Sequence, residues 1–79
     1  MYFIYGKPEC GYTQKAMTHL KQKKMEFNFV NVHDFGGIPK VVTLLKNNSL
    51  MPKNVVWKTV PIILKDNKFI GGCDDLLKQ

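Results

Sequence analysis

The strongest constraint on the fold lies in the first stretch, up to Val32, where three patterns follow one another. Tyr2-Phe3-Ile4-Tyr5 is apolar throughout and is closed by Gly6 and Pro8. Its length and its aromatic and β-branched content predict a buried strand. From Tyr12 to Lys24 there is neither Gly nor Pro. Ala16, Met17 and Leu20 recur there with helical spacing, Thr13 falls on the same stripe, and lysines occupy the outer face and the last turn, where they suit the helix dipole. Between Met25 and Val32, Met25, Phe27 and Phe29 alternate with Glu26 and Asn28 before Val30 and Val32, which predicts a second strand. Strand, helix and strand in that order make a parallel pair with a right-handed crossover.

The remainder adds a different pairing. Asp34 to Gly37 reads as a turn, and Pro39 suits the first position of a second helix. Val41, Val42, Leu44 and Leu45 form that helix's expected buried face, and Asn47-Asn48 ends it. Ser49 to Lys58 is expected to be a loop or frayed turn around Pro52. Thr59-Val60-Pro61 leads into the strand Ile62-Ile63-Leu64. Asp66-Asn67 is a hairpin turn before the strand Lys68-Phe69-Ile70. Gly71-Gly72 breaks the chain, and Asp74-Asp75 opens a last helix through Leu76 and Leu77. A hairpin is antiparallel, so the expected architecture is α/β: a four-stranded mixed sheet flanked by three helices. At 79 residues the chain is expected to be a single domain spanning 1–79.

Composition narrows the function classes. Two cysteines, Cys10 and Cys73, are too few for a small secreted disulfide scaffold. The start of the chain lacks the pattern of a signal peptide, and no run approaches a membrane span. The expectation is a cytoplasmic protein whose cysteines serve chemistry. The net charge is +6, and all 12 basic residues are lysines. That balance favours anionic partners, but the lysines are dispersed and arginine is absent, which argues against nucleic acid. A solubilising surface and a small anionic ligand both fit. His19 and His33 read as surface residues; with the cysteines they have no zinc-ligand spacing, so no metal site is expected.

Cys10 stands between the first strand and the first helix. A helix N-terminus presents unpaired N–H groups and the positive end of the dipole, which stabilise a thiolate. Lys7 adds positive charge nearby, and Glu9 opposes it unless its side chain points away. Position alone leaves a second reading open, in which Cys10 is a small packed residue.

Three segments weight this choice. They are Lys7-Pro8-Glu9-Cys10-Gly11-Tyr12-Thr13 followed by Ala16; Thr59-Val60-Pro61; and Gly71-Gly72-Cys73-Asp74-Asp75-Leu76. Together with the order of elements, they make the chain resemble the glutaredoxin family over essentially its whole length. The resemblance implies a thioredoxin-like fold with sheet order 2-1-3-4 and a glutathione-dependent thiol–disulfide oxidoreductase serving cell redox homeostasis. Cys10 is then the nucleophile, attacking the protein side of a protein–glutathione mixed disulfide; glutathione ends on Cys10 and a second glutathione releases it. Gly11, Tyr12 and Thr13 complete the active-site motif.

Thr13 stands where many members have a second cysteine, which leaves a monothiol route through glutathione. Its hydroxyl either donates to the Cys10 sulfur or caps the first helical turn. Gly11 replaces the usual proline. Cys-Gly-Tyr-Thr and Trp57 partly resemble the monothiol members that hold a [2Fe–2S] cluster between two subunits, with Cys10 as an iron ligand. The short spacing from Lys7 to Cys10 resembles the dithiol class instead.

The expected glutathione-binding residues follow from the same resemblance. Pro61 follows a cis bond, so Thr59 and Val60 meet the glutathione backbone as an added strand. Gly72 permits close approach, and the N–H groups of Cys73 and Asp74 hold the γ-glutamyl carboxylate. Asp74 or Asp75 takes the ammonium group, or both aspartates only cap the helix. Lys7 takes the glycine carboxylate and Tyr12 lines the groove. Cys73 is expected to be a packed residue rather than a second catalytic thiol. The expected partners are glutathione and glutathionylated proteins, with a monomer unless a cluster bridges two chains. Alternatives are a cluster-transfer protein and a non-catalytic glutathione-binding module.

Overall fold

A computed structural model describes residues 1–78. The β1 strand (Tyr2–Gly6) leads to α1 (Gly11–Gln22) and β2 (Phe27–Asn31). After a 3-10 turn at Val32–Phe35 come α2 (Ile38–Asn47), β3 (Ile62–Lys65), β4 (Lys68–Gly71) and α3 (Cys73–Leu77). The sheet order is β2-β1-β3-β4, as the resemblance implies. β1 pairs parallel with β2, setting Ile4 against Phe29, and antiparallel with β3, setting Ile4 against Ile63. β3 and β4 form the hairpin, where Asp66 and Asn67 take φ 50° and 66°. Positive φ at both central residues is the geometry whose twist matches the flanking strands.

The two-residue period of β1 sorts the core. Tyr2 and Ile4 join Ala16, Leu20, Ile63, Cys73 and Leu76 on the side covered by α1 and α3. Phe3 and Tyr5 pack on the opposite side, where Val41, Leu45, Ile62 and Leu64 form a second cluster beneath α2. Both faces of the sheet are therefore covered, and Ile4, Ile62 and Ile63 are wholly excluded from water. Removing such a side chain costs about 2–5 kcal/mol, a large share of the stability of a domain this small.

Several boundaries depart from the sequence reading. α1 stops at Gln22 because Lys24 turns left-handed (φ 57°) and the Met25 N–H reaches back to the Leu20 carbonyl at 3.0 Å. This closure satisfies carbonyls at the helix end and removes Met25 from β2, where it is 40 % exposed. Val32, expected to end the strand, instead opens the 3-10 turn and is fully buried. The turn expected at Asp34–Gly37 thus starts earlier, with the Asn31 side chain accepting from the His33 N–H at 3.0 Å. α2 begins at Ile38, with Pro39 inside its first turn. Leu44 is not on the buried face: Val41, Val42 and Leu45 share the inward stripe, and Leu44 lies beyond its edge at 41 % exposure. α3 starts at Cys73, one residue earlier than expected. Among the described residues, no helix is long and apolar enough to cross a membrane.

Candidate active site

The site forms where β1 ends and α1 begins. Cys10 is the N-cap of α1 and lies partly exposed, with its N–H donating to the Lys7 carbonyl at 3.0 Å. Gln14 secures the same loop by donating from Nε2 to the Pro8 carbonyl at 2.8 Å. The thiol pKa is lowered, first by the Thr13 backbone N–H, then by the Tyr12 N–H and the Thr13 hydroxyl, and least by the charge of Lys7; partial burial opposes these effects. The helix N-terminus therefore dominates, as the position of Cys10 in the chain suggested. Glu9 does not oppose it, because its carboxylate faces His33 Nε2 at 3.2 Å on the 3-10 turn.

Thr13 is completely buried and caps nothing: its hydroxyl has no hydrogen-bond partner among the described residues. The capping role considered for it falls to Cys10, which holds the cap position without a side-chain bond. Close beside Thr13 is Gly6. A Cβ on Gly6 would stand 2.5 Å from the Thr13 hydroxyl oxygen and 2.6 Å from its methyl carbon. Sequence reading treated Gly6 only as a strand terminator; a glycine at a strand end that faces a helix start is the signal for such close approach. Around Gly11 there is open space, so the proline common in the family would fit.

A groove of about 480 Å³ opens beside the start of α1; Cys10 is not among its walls, but it acts electrostatically on Cys73, which is. The bond Val60–Pro61 is cis, as expected. Tyr12, Thr59, Val60, Pro61, Gly72 and Cys73 wall the groove, joined by Asp74 and Asp75. Eight of the residues expected to bind glutathione are thus brought together. Lys7 is not among these walls; it stands on the Cys10 loop, half-buried, where its charge acts on the thiol. Two wall residues, Ile38 and Trp57, were not anticipated as binding residues. Trp57 lies in the segment whose pattern was unreadable, and its ring meets Phe69 edge-on at 5.2 Å.

The two aspartates separate. Asp75 Oδ2 accepts the Gly72 N–H at 3.0 Å, which closes the start of α3. Asp74 is exposed. Gly71 has φ 124° and its α-carbon faces the Asp75 carboxylate so closely that no side chain fits there. Cys73 is 5 % exposed, and burial raises its pKa, so it remains a protonated thiol where Cys10 ionises. Both cysteines are free. Among the described residues, no group of three or more His, Cys, Asp or Glu side chains could hold a metal ion.

Comparison with known proteins decides the family. The glutaredoxin family model matches residues 2–70. The chain belongs to the glutaredoxin family. A probable glutaredoxin of Acanthamoeba polyphaga mimivirus is 35 % identical over 79 residues, covering 98 % of this chain and 74 % of that one. A glutaredoxin of Vibrio cholerae is 36 % identical over 77 residues, covering 91 % and 80 %. Among solved structures, glutaredoxin 1 of Francisella tularensis superposes with a TM-score of 0.79 at 22 % identity, over 98 % of this chain and 87 % of that one. A buckwheat glutaredoxin in complex with glutathione gives 0.74 at 20 % identity; this chain, 98 % covered, spans 64 % of it. These likenesses place the thioredoxin-like fold. Membership of this family supports a thiol–disulfide oxidoreductase role.

Proposed function

We propose that this glutaredoxin reduces protein–glutathione mixed disulfides by a monothiol route through Cys10. One observation carries the reading: a thiol whose pKa is lowered by the N–H groups of a helix start has Thr13, not a second thiol, in the next turn. In the first step the Cys10 thiolate attacks the glutathione sulfur of the mixed disulfide. A Cys10–glutathione bond forms, the substrate disulfide breaks, and the protein leaves as a thiolate that takes a proton from water. In the second step a free glutathione thiolate attacks the glutathione sulfur on Cys10, giving glutathione disulfide and returning Cys10 as thiolate. Its lowered pKa makes Cys10 a good leaving group. The sequence reading directed the first attack to the protein side. Displacement transfers to the attacker the half whose sulfur is struck, so glutathione reaches Cys10 only by attack at its own sulfur.

The groove suits the glutathione half. The backbone around Val60 offers strand-like pairing to its cysteine. The N–H groups of Cys73 and Asp74 suit its γ-glutamyl carboxylate, as the start of a helix does for anions. Asp74 suits its ammonium group, since Asp75 is already occupied by the Gly72 N–H. Lys7, on the Cys10 loop rather than in the groove wall, suits its glycine carboxylate by charge. A [2Fe–2S] cluster between two subunits would take Cys10 and a glutathione thiolate from each, and Cys73, buried and with its pKa raised, would supply no ligand.

Mass spectrometry after treatment with oxidised glutathione tests the proposal. The adduct is expected on Cys10, with turnover lost in Cys10→Ser and kept in Cys73→Ser. An adduct confined to Cys73, or turnover surviving in Cys10→Ser, overturns it. The variant Thr13→Cys is expected to gain direct reduction of protein disulfides.

A further inference from the structure

The glutathione groove does not end at Trp57. On the other side of this ring a second groove of about 450 Å³ runs between α2 and the segment before Thr59. Ile38 and Trp57 wall both grooves, and Val42 and Val56 continue the apolar surface of the second. At 76 % Val56 is the most exposed large apolar side chain among the described residues, and it adjoins the other apolar walls of this groove. Lys46 and Lys58 line this groove. Lys46 also borders a neighbouring cleft with Lys53 and Lys68. No acidic residue lines either depression, whereas Asp74 and Asp75 line the glutathione groove.

We propose that this second groove docks the polypeptide flanking the modified cysteine of the target protein: an extended segment with an apolar side chain between carboxylates. The inference rests on the glutathione reading of the first groove. Continuity and charge carry it. The two grooves share the Ile38–Trp57 wall, so a target chain that leaves the first groove on that side meets the second. Apolar side chains in the second groove gain by burial against an aliphatic or aromatic residue. A lysine border without carboxylates favours acidic neighbours and repels basic ones, on a chain of net charge +6. The groove therefore sets which glutathionylated proteins are processed, while the first groove sets that glutathione is recognised.

Three mixed disulfides of glutathione test this: one with 2-mercaptoethanol, one with a cysteine peptide carrying leucine and glutamates, and one with the same peptide carrying lysines for glutamates. The acidic peptide is expected to exceed the basic one by about tenfold in kcat/KM at low salt, with the difference shrinking as salt is raised. Val56→Asp and Lys46→Glu should remove most of that advantage and leave the 2-mercaptoethanol substrate unchanged. Equal turnover of both peptides, or an acidic-peptide rate unaffected by these variants, overturns docking while leaving the glutathione reading intact. Failure of all three substrates would instead strike the proposed function. Docking is then read separately from the fluorescence of Trp57, the single tryptophan, during titration with the acidic peptide whose cysteine is serine. A saturable change lost in Val56→Asp supports the groove, and its absence overturns it.

Discussion

The hydroxyl of Thr13, wholly buried, has no hydrogen-bond partner among the described residues, yet it and the Thr13 backbone N–H lie near enough to the Cys10 thiol to lower its pKa. An unsatisfied buried hydroxyl costs about 1–3 kcal/mol. The Cys10 sulfur is the acceptor within its influence, and a thiolate accepts far better than a thiol. The native fold thus carries a small penalty that is relieved when Cys10 ionises. Replacing Thr13 by Val should therefore leave stability unchanged or raise it by about 1 kcal/mol, and at the same time raise the Cys10 pKa. The rate of alkylation by iodoacetamide against pH measures the second effect, and its midpoint should move upward. A midpoint that stays put would mean that the backbone N–H groups act alone.

Stability should follow the same sulfur. The folded pKa of Cys10 lies below its value in the unfolded chain, which is about 8.5. Between the two values the unfolded chain holds the extra proton, so this contribution grows as pH rises through the window and is lost as pH falls below the folded pKa. Cys73, with a raised pKa, acts in the opposite sense above the ordinary thiol range. The difference in unfolding free energy between the wild type and Cys10→Ser should increase with pH up to about 8.5 and then level off. Urea unfolding at a series of pH values gives that curve, and a flat difference would contradict the lowered pKa.

Gly6→Ala should harm both fold and site. Its new methyl would meet a fully buried Thr13 on the first turn of α1, with no flexible side chain to give way. Overpacking of this kind costs about 1–3 kcal/mol, and displacement of the α1 start should lower Cys10 reactivity. Thermal unfolding and thiol alkylation measure the two losses. Gly11→Pro provides the contrast: open space and a first-turn position predict a stable, active protein.

Asp74 and Asp75 should part company under mutation. Asp75→Ala removes the acceptor of the Gly72 N–H and should lower stability by about 0.5–2 kcal/mol. Asp74→Asn alters an exposed carboxylate that caps nothing within the chain, so the melting temperature should hold while KM for glutathione rises. A fall in stability with Asp74→Asn, or an unchanged KM, would move the ammonium site elsewhere.

Local pattern was enough for the elements and the parallel βαβ pair, because period, glycine and proline placement act over a few residues, whereas the sheet order follows from the family resemblance. Leu44 and Met25 escaped it: one sits just past the edge of a helical stripe, and the other is consumed by a left-handed helix ending. The segment from Ser49 to Lys58 has no period to read, so Trp57 and its grooves were hidden in it.

What the sequence by itself determined is therefore a strand, a thiol and a helix start in fixed succession, and with them the place where a thiolate can be held. Which aspartate remains free, which way Glu9 points, and that Thr13 is sealed against Gly6 were decided only by tertiary structure. Each of those depends on a partner brought near by the sheet and its packed helices, and neither composition nor spacing along the chain encodes that proximity.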